Sequence, residues 1–181
     1  MKKSRYVFLF AIAAILVIFF VVLPGFRKNK LMQDLNKPAP KFSLSWLDGG
    51  QLTSGDLLGK IVVLDFWATW CGPCNQEFPE YQKLYQRYKD NPRVSLVAVN
   101  TSWNNDSVEK AKNFLQAKSY NFPAAYDEDG SVTGQFNITG IPTLIILDKS
   151  GNIRNKHVGF DQSEDFVGII SEKIDGLLAE K

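Results

Sequence analysis

The sequence predicts a three-layer α/β sandwich with a mixed central sheet, an N-terminal hairpin and a preceding transmembrane helix. Three observations carry this. The run Ile61-Val62-Val63-Leu64-Asp65-Phe66-Trp67 is nearly continuous and rich in β-branched residues, as a strand covered on both faces should be. After it, helical and strand periodicities alternate and then close with two adjacent strands and a helix, the order of an α/β domain. Before it, Tyr6 to Phe26 is an unbroken stretch of 21 uncharged residues. With 181 residues, 45% of them apolar, the chain has enough material for one domain with a sizeable core.

The N-terminal stretch, as a helix rising about 1.5 Å per residue, spans the roughly 30 Å hydrocarbon core of a bilayer. It is longer than the apolar part of a secretory peptide and ends in Leu23-Pro24-Gly25-Phe26-Arg27, with no small-x-small cleavage site. The reading is therefore a basic tail over 1–5 and an uncleaved signal-anchor over 6–26, with a cleaved peptide as the alternative. Lys2, Lys3 and Arg5 face Arg27, Lys28 and Lys30 across the span, a tie under the positive-inside rule. Residues 27–37 are polar and basic and run into Pro38 and Pro40, which reads as a linker to a domain over 38–181.

Within the domain, Phe42 to Trp46 alternates, and the turn Asp48-Gly49-Gly50 folds it back onto Gln51-Leu52-Thr53 as a hairpin. Ile61 to Trp67 follows as a central strand parallel to a neighbour. Pro73 to Lys89 places Phe78, Tyr81, Leu84, Tyr85 and Tyr88 at helical spacing, with a kink expected at Pro79. Val94 to Val99 is a strand, and Val108, Ala111, Phe114 and Leu115 mark a second helix. Thr143 to Leu147 and Ile153 to Val158 pair across Asp148-Lys149-Ser150-Gly151. Phe166, Ile169, Ile170, Ile174, Leu177 and Leu178 form a closing helix.

Charge excludes one function class. The six basic residues of the first thirty have no acidic counterpart there, so the remaining 15 stand against all 19 acids and the domain carries −4. Without a basic cluster it has no electrostatic footing for nucleic acid.

The chemistry concentrates in Trp70-Cys71-Gly72-Pro73-Cys74, where the buried strand ends and a helix begins. Unpaired N–H groups at a helix start carry partial positive charge, which stabilises a thiolate at Cys71. Pro73 suits a first helical turn, since its missing N–H is unused there. One sulfur at the helix end can attack, and one a turn inside can resolve; this is a thiol-disulfide exchange site. A purely structural disulfide across four residues closes too small a loop to stabilise much. Zinc needs four ligands, and the chain offers two cysteines and His157 as its one histidine. No cofactor beyond the cysteine pair is implied.

The segment Phe66-Trp67-Ala68-Thr69-Trp70-Cys71-Gly72-Pro73-Cys74 resembles the active site of the thioredoxin superfamily, and Gly140-Ile141-Pro142-Thr143 resembles its cis-proline loop. The longer stretch between them, filled over 100–136 by an extra helix and strand, together with Glu77-Phe78-Pro79 and the N-terminal anchor, is similar to membrane-tethered TlpA-like proteins of the ResA, StoA and CcmG kind. The resemblance covers about residues 38–178. It implies a thioredoxin-like three-layer sandwich with a central insertion, Cys71 as attacking and Cys74 as resolving thiol, and Pro142 as a cis-proline facing them. It further implies that Ile141, Pro142, Trp70, Gly72 and Pro73 border the substrate, whose extended segment pairs with the backbone beside Pro142. Asp65 matches the buried aspartate of thioredoxins, where ResA-like members more often carry asparagine, and would accept the proton of Cys74. Glu77 matches a glutamate near the site of ResA-like proteins, although a glutamate on this helix taken alone reads as a solvated residue.

The Gly72-Pro73 pair resembles thioredoxin, whose potential near −270 mV lies about 150 mV below that of DsbA, roughly 7 kcal/mol for two electrons. A reductant is expected. The resemblance implies a membrane thiol donor of the CcdA or DsbD kind and an outward-facing domain at the cell membrane, acting on a disulfide-containing protein such as apocytochrome c or a spore-envelope protein. Two alternatives stand beside it: a disulfide-forming oxidase, and Cu(I) delivery through Cys71, Cys74 and His157. Peroxidase chemistry is disfavoured, because the segment before Cys71 lacks the Pro-x-x-x-Thr-x-x-Cys pattern of peroxiredoxins.

Overall fold

The strand Ile61–Trp67 (β3) has every residue buried and forms the centre of the sheet, as a nearly continuous apolar run requires. The computed structural model describes residues 35–180; the basic tail, the signal-anchor and residues 27–34 of the linker lie outside them. Residues 36–180 belong to the second of two units, Asn36–Lys181. Among them no helix is long and apolar enough to cross a membrane.

Seven strands lie in the order β2-β1-β5-β4-β3-β6-β7, with β1 at Ser43–Trp46, β2 at Gln51–Thr53, β4 at Val94–Asn100, β5 at Ala124–Tyr126, β6 at Thr143–Leu147 and β7 at Ile153–Val158. The sheet is mixed: β3 runs parallel to β4 and antiparallel to β6. The hairpin β1–β2 joins through β5, the strand of the insertion, which is parallel to β4 and antiparallel to β1. At the other edge Asn36 and Lys37 exchange backbone hydrogen bonds with Ile153, and Ala39 donates to Gly151.

Among the described residues four α-helices flank the sheet: α1 at Gly72–Tyr88, α2 at Val108–Ala117, α3 at Ser131–Gln135 and α4 at Phe166–Ala179. The pleat sends Ile61, Val63 and Trp67 to one face, where they share a core with Phe78 and Leu84 of α1, Ala111 and Leu115 of α2, and Ile170 and Ile174 of α4. Trp67 meets Phe78 at 4.9 Å and Phe114 at 5.6 Å between ring centroids. Phe66, on the opposite face, meets Phe136 at 5.8 Å, and Phe136 meets Phe42 at 5.7 Å. The three layers are therefore unequal: the inserted helix joins the α1 side, and the other side is capped by the five-residue α3. Helix α1 is continuous across Pro79, whose ring faces solvent. The short helices Ser54–Leu57, Trp103–Asn105 and α3 have too few residues to register as a periodicity.

Candidate active site

Strand β3 ends at Trp67, and Ala68 to Trp70 turn the chain into α1. The turn is closed by a hydrogen bond from the Cys71 N–H to the Ala68 carbonyl at 3.1 Å. Cys71 is the N-cap of α1, extended rather than helical, and its Sγ accepts from the Cys74 N–H at 3.2 Å. A sulfur in this position lies against the positive end of a helix of 17 residues, which favours its thiolate. Gly72 and Pro73 form the exposed first turn, and Cys74 is wholly buried. The two sulfurs are joined in a disulfide. The Ile141–Pro142 peptide is cis, Pro142 is buried, and its carbonyl accepts from the Gly159 N–H at 2.9 Å. Trp70 stands 47% exposed beside the cysteines in sequence, with its indole N–H donated to the Trp103 carbonyl at 2.9 Å.

Behind Cys74 lies a group of buried acids. Asp65 shares the pleat face of Val63 and Trp67, turned toward α1, with Ala98 and Leu144 as its cross-strand neighbours. On α1, Cys74, Glu77 and Tyr81 fall at spacings of three and four and line the buried face. Asp65, Glu77 and Tyr81 all have 0% exposure, and none of their side-chain oxygens has a protein hydrogen-bond partner. Burial raises the Asp65 carboxyl well above the usual carboxylate range. Glu77 is raised first by burial and then by the charge of Asp65. The Tyr81 phenol is raised by burial and by both acids. Glu77 is thus far from the solvated residue that its position on a helix suggests.

His157 does not join this group. It sits half-buried on β7 opposite Leu144, with its ring 6.4 Å from that of Phe166. Among the described residues no three His, Cys, Asp or Glu side chains gather as a metal site, with Cys71 and Cys74 joined to each other.

Sequence reasoning missed Tyr81, which reads as one more aromatic on a helix face, and Asp106. Asp106 is 5% exposed and accepts from the Thr69 N–H at 2.7 Å and the Thr69 hydroxyl at 2.9 Å. The run Asn104-Asn105-Asp106-Ser107 before a helical pattern signals a cap, and Ser107 is indeed the α2 N-cap. Nothing local indicates the bond to Thr69.

Comparison with known proteins agrees with this geometry. Residues 35–156 match the AhpC/TSA family. A thiol-disulfide oxidoreductase ResA of Bacillus cereus is 34% identical over 95% of this chain and 98% of its own length. Thioredoxin-like protein YneN of Bacillus subtilis is 36% identical over 82% of this chain and 89% of its own. The crystal structure of StoA from Bacillus subtilis superposes with a TM-score of 0.61 and 26% identity, covering 71% of this chain and 95% of that one. Leu64 and Ala68 stand where a peroxiredoxin pattern ending at Cys71 needs Pro and Thr, so membership brings the fold and not the peroxidatic motif. A redox-active pair at a helix start, on a scaffold shared with oxidoreductases of the same cysteine chemistry, makes this chain a thioredoxin-fold thiol-disulfide oxidoreductase of the AhpC/TSA family.

Proposed function

We propose that the chain is a membrane-anchored reductase of protein disulfides in the extracytoplasmic space, fed by a membrane thiol carrier of the CcdA or DsbD kind. The observation that carries it is the placement of Cys71 Sγ at the α1 N-cap, 3.2 Å from the Cys74 amide, with Cys74 buried behind it. The Cys71 thiolate attacks one sulfur of a substrate disulfide, forming a mixed disulfide and releasing the other sulfur as a thiolate. Cys74 then gives up its proton and attacks Cys71 Sγ. The second substrate sulfur leaves, two electrons have passed to the substrate, and the enzyme holds the Cys71–Cys74 disulfide. Burial brings the carboxyl of Asp65 toward the acidity of a thiol, the condition under which a carboxylate can take the Cys74 proton. Ile141 and cis-Pro142 offer backbone for an extended substrate segment.

The reductase direction rests on the Gly72-Pro73 pair. The membrane reading rests on the uncharged stretch 6–26, and an apocytochrome c-type substrate rests on the likeness to ResA. A Cys74→Ser chain expressed in its host should accumulate a mixed disulfide on Cys71, and mass spectrometry of the trapped partner identifies the substrate. Reactive Cys71 with no trapped protein overturns the reading, as does a Cys71–Cys74 potential more oxidising than about −200 mV.

A further inference from the structure

Asp106 lies in the insertion, yet its carboxyl is spent on the active-site turn. Four donors converge on its two oxygens: the Thr69 N–H at 2.7 Å and the Asn100 Nδ2 at 2.9 Å on Oδ2, the Thr69 hydroxyl at 2.9 Å and the Ser107 N–H at 3.2 Å on Oδ1. Its backbone carbonyl accepts from the Tyr126 hydroxyl at 2.8 Å. A second link runs back the other way. The Trp103 carbonyl accepts both the Asp106 N–H at 3.2 Å and the Trp70 indole N–H at 2.9 Å. Thr69, Trp70, Trp103 and Asp106 thus form a closed ring of covalent and hydrogen bonds that joins the residues before Cys71 to the insertion. The turn between them is held in an unusual shape, with Ser102, Asn104 and Asn105 at φ of 56°, 54° and 58°. That turn leaves Asn104 and Asn105 exposed beside the exposed Trp70.

We propose that Asp106 is a positioning residue: by clamping Thr69 it seats Trp70 against the Trp103–Asn105 turn, making one rim that selects polypeptide disulfides over small ones. The proposal deepens the protein-disulfide reading and rests on it. Asp106 does not touch the reacting sulfurs; it acts through Thr69 and Trp70. An acceptor-only group suits this place, because an amide there turns its NH2 toward either the Thr69 N–H and Asn100 Nδ2 or the Ser107 N–H and the Thr69 hydroxyl, and in each case at least one of the two groups can only donate.

The test uses the full chain, purified with its N-terminal segment and reduced beforehand, in single-turnover reactions with insulin and with oxidised glutathione. Asp106→Asn should lower the rate constant for insulin about tenfold and leave that for oxidised glutathione within about twofold. Acrylamide quenching of the Trp70 emission, taken as the difference from a Trp70→Phe chain, should rise about twofold in the same variant as the indole leaves its seat. Thr69→Val, which keeps the carboxyl and the Thr69 N–H but removes one donor, should show a smaller loss of the same kind, and Thr69→Ser should behave as the native chain; these two serve if Asp106→Asn does not fold. An equal loss on both substrates, or unchanged insulin reduction, overturns the proposal. A native chain that reduces oxidised glutathione but not insulin overturns the protein-substrate reading instead, and the quenching difference still decides whether Asp106 seats Trp70.

Discussion

Two buried acidic regions adjoin the segment that carries the cysteine pair, and they are built in opposite ways. On the insertion side Asp106 meets four donors, so its burial is fully compensated. On the α1 side Asp65 and Glu77 lie among Ala98, Leu144, Trp67 and Phe78 with no protein partner on any of their four oxygens. A satisfied carboxyl holds elements in place; an unsatisfied one is forced toward its neutral form and holds a proton instead. Burial alone therefore does not tell the role of an acid. The donors around it do.

The contrast can be broken hardest at its satisfied end. Asp106→Ala strands up to four donors and should lower unfolding stability by about 3 kcal/mol, read from urea denaturation. A loss below about 1 kcal/mol would mean that the clamp is not what holds the insertion to the active-site turn.

Substitution at the unsatisfied end should have the reverse sign. Asp65→Asn removes an acid that resists ionisation, and should stabilise the oxidised chain by about 1–2 kcal/mol at neutral pH while slowing release of trapped substrate from Cys71. Loss of stability in that variant would show that Asp65 has partners like those of Asp106.

The pH profile sharpens the same contrast with a smaller effect. Because folding raises the Asp65 and Glu77 pKa values away from the ordinary carboxyl value near 4, the folded chain keeps protons that the unfolded chain releases. The contribution of these two acids to stability is then greatest at or below about pH 4 and falls as pH rises toward and beyond neutrality, while Asp56, Asp129, Asp148, Asp161 and Glu180, whose pKa values folding lowers, act the other way on the acid side. In the oxidised chain, where neither cysteine titrates, Asp65→Asn and Glu77→Gln should each flatten this fall. Thermal unfolding across pH checks it, and a native profile that rises between pH 5 and 8 would contradict it.

Tyr81→Phe should give the smallest change. It removes a hydroxyl that has no protein partner, so stability should stay within about 1 kcal/mol of the native chain by the same urea measurement. A larger loss would mean that the phenol belongs to a hydrogen-bonded network with the two acids.

Much of this molecule is legible in its sequence. The strands β3, β6 and β7 and the helix α4 follow from apolar runs and spacings that are written in adjacent residues. Cys71, Gly72, Pro73 and Cys74 read directly as a helix start bearing two sulfurs, since helix position and thiol reactivity depend on the same few residues. Asp65 draws attention because a charge in an apolar strand is conspicuous. The burial of Glu77 does not show, because an acid on an amphipathic helix is ordinary until the sheet is laid over it; Tyr81 shows as part of the apolar face, but not as a phenol beside two acids.

The amino-acid order determined the exchange chemistry and most of the elements, both of which depend on neighbours within about two helical turns. Tertiary structure alone decided that β5 stitches the hairpin to the core sheet, that α2 crowds the α1 face, and that Asp106 reaches Thr69 across 37 positions of chain. It also decided which acids meet donors and which do not. Charge burial depends on what other segments bring to a carboxyl, and that information is spread over strands and turns far apart in the chain.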